Sequence, residues 1–224
     1  MSFWDQAVEV ARIDLRVERR LGDVIRIVLP FAVVALLVFP LALGVDLAII
    51  SRVGPAVFWA LGILFGMQVA LRQAASDRPE RRDLYALLGV DPAARFVGRS
   101  LSGSVLMVGF LVVLLVAMIV LYGPQLPAGW LGPGLYSLLL AAIGLTELGT
   151  LAGEVTAGLR NRTALASLIV APLSLPLVIG GSQTLESLAR DATILPWLLL
   201  LVATDLALAV AGVALARPLE EASR

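Results

Sequence analysis

The chain has 224 residues, 59% of them hydrophobic and 15% charged, and its mean hydropathy is +0.95. A soluble domain has roughly half its residues apolar and about a quarter charged. The composition therefore excludes a water-soluble globular domain, a disordered chain and a disulfide-rich secreted module. The formal net charge is zero, and with no basic block in the sequence nucleic acid is not an expected partner.

The absent residue types narrow the chemistry. There is no cysteine, no histidine and no lysine, and all 17 basic residues are arginine. Disulfides, thiolate nucleophiles, iron–sulfur clusters and Ser–His–Asp triads are excluded. The usual zinc and haem ligands are missing, so neither a metal site nor a directly bound cofactor is expected. A phosphate-binding P-loop needs lysine, so any ATP-driven work requires a separate subunit. No other constellation suits catalysis, and the chain reads as non-enzymatic.

In chain order, residues 1–22 form an amphipathic pattern. Phe3, Trp4, Ala7, Val8, Ala11 and Leu15 share one helical face, and Asp5, Glu9, Arg12, Arg16 and Arg19 share the other. This predicts a helix lying along the membrane surface; the alternative is a plain juxtamembrane stub. A membrane-crossing helix needs ~20 mostly apolar residues. Six segments qualify: Ile27–Val45, Val53–Leu71, Leu101–Tyr122, Gly134–Ala157, Ala164–Ser182 and Ile194–Ala216. Lipid offers the backbone no hydrogen-bond partner, so these runs must be helical. The first run is too long for a cleaved signal peptide. The expected fold is an all-α membrane protein, one polytopic domain over 1–224, with six spans and an N-terminal interfacial helix. No internal repeat is visible.

Arginine placement predicts the orientation. Fifteen of the 17 lie before the first span, between spans two and three, between spans four and five, or after the sixth; only Arg52 and Arg190 lie on the other side. Both termini are thus expected in the cytoplasm.

The longest cytoplasmic segment, 72–99, opens with the breaker Ser76-Asp77-Arg78-Pro79. Asp83-Leu84-Tyr85-Ala86-Leu87-Leu88 then sets a short apolar stripe at 84, 87 and 88, which Gly89 and Asp91-Pro92 close. Two readings fit: a solvated loop with one buried helical turn, or a docking helix whose leucines enter a partner's groove.

Three carboxylates fall inside predicted spans: Glu147 and Glu154 on the fourth, Asp205 on the sixth. A charge at the bilayer centre costs from ~3 to over 10 kcal/mol. The acids therefore read either as protonated groups hydrogen-bonded across a helix or subunit interface, or as lining a polar cavity or ion-sensitive site between spans four and six; Glu154, nearest the cytoplasm, is in reach of Arg72 or Arg160. Gly62-x-x-x-Gly66 and Gly149-x-x-x-Gly153 match the close-packing pattern of membrane helices. Pro40 on the first span and Pro172 and Pro176 on the fifth are expected kinks, and the last two should break the fifth span near its middle.

These features together resemble the membrane subunit of an ABC-2-type exporter, and more closely the cytochrome c maturation protein B (haem exporter protein B) family. The resemblance covers the whole chain. It rests on Asp14-Leu15-Arg16-Val17-Glu18, on Phe39-Pro40-Leu41, and on Gly54-Pro55-Ala56-Val57-Phe58-Trp59. It extends through Gly158-Leu159-Arg160-Asn161-Arg162 to Ala171-Pro172-Leu173-Ser174-Leu175-Pro176-Leu177-Val178-Ile179. Two features depart from the pattern: Arg81-Arg82-Asp83 stands where Asp-Gly is expected, and span four carries glutamates where small apolar residues are expected.

The resemblance implies a permease in the bacterial cytoplasmic membrane, acting in haem handling for c-type cytochrome assembly. It implies a cytoplasmic ABC ATPase that binds ATP, a haem-handling membrane subunit that coordinates any haem, and a small single-span subunit. A homodimer is compatible with it. ATPase docking is carried to the 72–99 segment, at Asp77, Asp83, Leu84, Leu87, Leu88 and Pro92. The rivals are an ABC-2 permease exporting a lipid, drug or glycan, and a membrane scaffold that organises haem-handling proteins without transport.

Overall fold

A capping box starts the first helix. Ser2 Oγ accepts from the Asp5 N–H at 3.2 Å, and the Asp5 carboxylate accepts from the Ser2 N–H at 3.0 Å. From there α1 runs Phe3–Leu21 and ends at Gly22 in the left-handed region, φ 67°. The computed structural model describes residues 2–22, 24–44, 47–75, 79–156 and 162–222. These form helices and connecting turns, with no strand among the described residues.

After one π-helical turn, Val24–Val28, the chain builds α2 (Leu29–Leu43), α3 (Leu47–Ala75), α4 (Pro79–Leu87), α5 (Pro92–Tyr122), α6 (Leu131–Val155), α7 (Arg162–Leu173), α8 (Leu175–Ala189) and α9 (Leu195–Ala222). Five stretches are long and apolar enough to cross a membrane: Ala48–Arg72, Pro92–Tyr122, Leu131–Val155, Ala164–Ala189 and Leu195–Leu219. The first expected span, 27–45, is represented by the shorter apolar stretch Arg26–Ala42. At ~1.5 Å per residue it reaches roughly 25 Å, short of the ~30 Å hydrocarbon core. Gly44, at φ 82°, ends the helix before the apolar run does.

Helix α6 is the centre of the bundle. It packs on α3, α5, α7, α8 and α9, and 72% of its apolar window is buried, against 22–39% in the other four. Phe58 on α3, Met107, Leu111, Leu114 and Met118 on α5, and Leu148 on α6 are almost wholly enclosed. The Tyr122 hydroxyl, at the far end of α5, donates to the Leu36 carbonyl of α2 at 2.8 Å.

The fifth span is interrupted at Ser174, between α7 and α8. Pro172 lies inside α7, and Pro176 lies in the first turn of α8, where its missing donor costs little. The chain keeps helical dihedrals through Ser174 (φ −76°, ψ −15°), and Ser174 N–H still reaches the Val170 carbonyl. The interruption is therefore a bend within one crossing. Pro40 lies near the end of α2, one turn before it stops.

The two glycine pairs carry unequal loads. A Cβ on Gly62 would meet only the end of the Leu111 side chain at 3.2 Å, and one on Gly66 the Met107 sulfur at 3.3 Å. A Cβ on Gly149 would collide with Ala70 Cβ and with the α3 backbone behind it; its partner Gly153 is buried further along α6. We expect Gly149→Ala to lower the thermal midpoint in detergent by an amount matching about 1–3 kcal/mol. Gly62→Ala should stay within about 0.5 kcal/mol. Equal effects would contradict this packing.

Helix α1 docks on the bundle with a different face from the expected apolar one. Ala7, Val10 and Ala11 are buried against α5, whereas Trp4 and Val8 point outward. The reason is close approach at Gly98, where a Cβ would stand 2.5 Å from the Ala7 carbonyl and 2.8 Å from Val10 Cβ. Small residues win the inward face, and the bulky ones are left for the surroundings.

Candidate functional site

Helix α4 has two faces of opposite character. Leu84, Leu87 and Leu88 are 53%, 86% and 68% exposed, whereas Tyr85 between them is buried. The inner face is tied to α1. Arg81 Nη2 lies 2.5 Å from Asp14 Oδ1, its guanidinium sits 5.7 Å from the Tyr85 ring centroid, and the Ser102 hydroxyl of α5 approaches the other Asp14 oxygen at 3.5 Å. Burial works against the Arg81 charge, but Asp14 and Tyr85 outweigh it and hold the guanidinium above its usual pKa. Burial likewise pushes the Tyr85 phenol up, so at neutral pH the cation is charged and the phenol neutral.

The turn after α4 is equally fastened. Leu88, Gly89 and Val90 N–H groups return to the Leu84, Ala86 and Tyr85 carbonyls, and Gly89 takes φ 68°. Asp91 then caps α5 by accepting from the Ala93 N–H at 3.0 Å, and its own N–H donates to Gln6 Oε1 of α1 at 2.8 Å. Its second oxygen accepts from Arg217 Nη2 of α9 at 2.6 Å. The Arg217 hydrogen bond holds the Asp91 carboxyl below its ordinary range. A movement of α4 is thereby linked to α1 through Asp14 and to α5 and α9 through Asp91. Beside this junction is a cleft of about 430 Å³ lined by Ala86, Gly89, Val90, Asp91, Pro92, Arg217 and Glu221.

Against the sequence expectations, Leu84, Leu87 and Leu88 lie together on one exposed helix end. Pro92 is the first residue of α5, so the 72–99 segment is shorter than expected: α3 continues to Ala75 and α5 begins at Pro92. Asp77 lies outside the described residues; Asp83 is within α4, its side chain outside them. Gln6, Asp14, Arg81 and Arg217 emerged only with the fold. The dipeptide Asp91-Pro92 held one usable signal, since an N-cap acid followed by proline at the first helical position starts a helix.

The three intramembrane acids fall into two situations. The Glu154 carboxylate faces Arg95 of α5 at 3.7 Å, with both side chains 4% exposed. The expected neighbours differ: Arg72 is on α3, and Arg160 lies outside the described residues. Arg95, within the expected 72–99 cytoplasmic segment, is instead buried in the first turns of α5. Glu147 and Asp205 are both buried at 8% exposure, and Glu147 Oε2 and both Asp205 oxygens accept no hydrogen bond. Asp205 rests on the α6 backbone, its Oδ1 2.5 Å from where a Gly144 Cβ would be.

This architecture has sequence relatives. Residues 5–222 match the family described as CcmB protein. The chain belongs to the CcmB family. One relative, Heme exporter protein B of Paracoccus denitrificans (strain Pd 1222), is 31% identical over 87% of this chain and 88% of its own length. Heme exporter protein B of Haemophilus influenzae (strain ATCC 51907 / DSM 11121 / KW20 / Rd) is 26% identical over 80% and 81%. That of Pseudomonas aeruginosa (strain ATCC 15692 / DSM 22644 / CIP 104116 / JCM 14847 / LMG 12228 / 1C / PRS 101 / PAO1) is 29% identical over 71% of each. The CcmB match takes in α1, the α4 junction and the membrane helices alike, since it runs from the first turn of α1 to the end of α9.

Proposed function

We propose that this chain is the membrane-embedded, non-catalytic permease subunit of an exporter acting in haem handling for c-type cytochrome assembly. The observation that carries this reading is the CcmB match over residues 5–222, together with relatives named Heme exporter protein B that align over most of their length. The chain has no lysine for a P-loop, so hydrolysis belongs to a separate ATPase subunit that grips Leu84 and Leu87 of α4 and Leu88 just after it. In this reading α2 makes the sixth crossing, both termini lie in the cytoplasm, and the membrane is the bacterial inner one. Haem is cargo of the complex. With no histidine or cysteine here, iron coordination falls to a partner membrane subunit.

The mechanism is mechanical. Closure of the ATPase displaces α4. Asp14 and Arg81 pass that displacement to α1, and Asp91 passes it to the start of α5 and, through Arg217, to the end of α9. Helices α5 and α9 both pack on α6, so the shift reaches the centre of the bundle. In cells whose partner ATPase binds but cannot hydrolyse ATP, haem-loaded c-type cytochromes should fall below about a tenth of the normal level. Normal maturation with that ATPase would overturn the driven-permease reading and favour a scaffold.

A further inference from the structure

Helices α6 and α9 meet at two acids. Glu147 lies near the middle of the crossing Leu131–Val155, and Asp205 near the middle of Leu195–Leu219. Each is only 8% exposed. Gly144, one turn before Glu147, opens the recess that Asp205 enters. A Cβ there would stand 2.5 Å from Asp205 Oδ1 and 2.5 Å from the Leu177 side chain of α8, which closes the recess. Both Asp205 oxygens and Glu147 Oε2 lack a hydrogen-bond partner. The charge that bears on Asp205 is that of Glu147.

The surroundings bring these oxygens neither a donor nor a cation. Thr146 and Thr204, beside the acids in sequence, donate to the Ala142 and Leu200 carbonyls of their own helices, and Thr184 of α8 donates to Gly180. The unpartnered Ser100 hydroxyl and Trp59 indole N–H reach none of the three oxygens. Among the described residues, the charged and titratable groups of the packed helices are directed elsewhere. Arg95 of α5 faces Glu154, and Arg99 acts on Tyr85. Arg217 of α9 is held by Asp91, and Glu221 is exposed at the helix end. Glu186 of α8 is taken by Arg190 and Gln183. Arg52 and Arg72 lie toward opposite ends of α3, and α7 carries no charge past its first residue. Tyr122 donates to Leu36, and Tyr136 is exposed in the first turns of α6.

A carboxylate at this depth with no donor and no cation is costly, and a second one facing it adds repulsion. A neutral carboxylic acid is different, because it carries an O–H donor beside an acceptor oxygen. One proton on either acid gives the other the hydrogen bond that it lacks.

We infer that Glu147 and Asp205 keep at least one proton between them at neutral pH and use it as a hydrogen bond that locks α6 to α9. Both are positioning residues. Arg217 already ties the cytoplasmic end of α9 to Asp91, and the acid pair fixes the same helix near mid-membrane. The lock needs no ATPase, so its failure leaves the function proposed above intact.

The test is infrared spectroscopy of the full chain in liposomes at about pH 7, where ordinary carboxyl groups are ionised. The reference is the double variant Glu147→Gln, Asp205→Asn, whose amides keep the shape and the hydrogen-bonding capacity. Glu154 is present in both chains and cancels in the difference. Parent minus reference should show the carbonyl band of a protonated carboxylic acid. In Glu147→Leu the band should move to the higher frequency of an acid without a hydrogen-bond partner. The thermal midpoint should stay at the parent's value in Glu147→Gln and fall by about 2–5 °C in Glu147→Leu, as expected for one interhelical hydrogen bond. A difference spectrum holding carboxylate bands alone would overturn the inference. So would a band unmoved by Glu147→Leu, or a midpoint in that variant at or above the parent's.

Discussion

Replacing Arg95 with methionine is expected to destabilise the protein by about 3–5 kcal/mol, because it takes a close cation away from the Glu154 carboxylate in the interior. The two side chains are each 4% exposed and 3.7 Å apart, on neighbouring helices α5 and α6. Removing one charge takes from the other a close opposite charge that offset part of its desolvation, whereas removing both takes away the penalty with the attraction. The double variant Arg95→Met, Glu154→Leu should accordingly recover most of the loss and lie within about 1 kcal/mol of the parent. Denaturant unfolding of the parent, Arg95→Met, Glu154→Leu and the double variant in one detergent measures the cycle. A single variant as stable as the parent, or a double variant as weak as the single, would show that the pair does not hold α5 on α6.

The membrane character and the approximate position of each long helix were legible in the sequence because length and hydropathy decide them; the family was legible from residue stretches such as Gly54-Pro55-Ala56-Val57-Phe58-Trp59 in their order along the chain. What was not legible came from side chains whose meaning depends on a distant element. Arg95 reads as a loop arginine because charge usually marks a span boundary; here α5 begins at Pro92 and buries it against Glu154. The α1 pattern gave a wide apolar face, but Gly98 selects the narrow Ala7, Val10 and Ala11 strip and turns Trp4 away. Nor did anything local announce that Asp91 would join α1 to α9: Gln6 and Arg217 are 85 and 126 residues distant from it. The leucine stripe at 84, 87 and 88 was visible as spacing, and whether it faced in or out was settled by Tyr85, the one residue of that turn that the bundle takes.

Leu87, at 86% exposure, is the most open large apolar side chain of the described residues. Together with Leu84 and Leu88 it offers the kind of anchor that a cytoplasmic partner covers on docking. Introducing aspartate at both Leu84 and Leu87 places two charges in that contact while leaving the Arg81–Asp14–Tyr85 face untouched, so the chain should fold and insert normally. Removing one large apolar anchor from an interface costs about 2 kcal/mol or more, and burying a charge in its place adds to it. Binding of the ATPase should therefore weaken at least about a hundredfold.

The decisive measurement is ATP hydrolysis by the proposed ATPase subunit, purified and added to liposomes containing this chain with the proposed partner membrane subunits. The account predicts stimulated hydrolysis with the parent chain and hydrolysis at the unstimulated rate with the Leu84→Asp, Leu87→Asp variant. Full stimulation by the variant would contradict it.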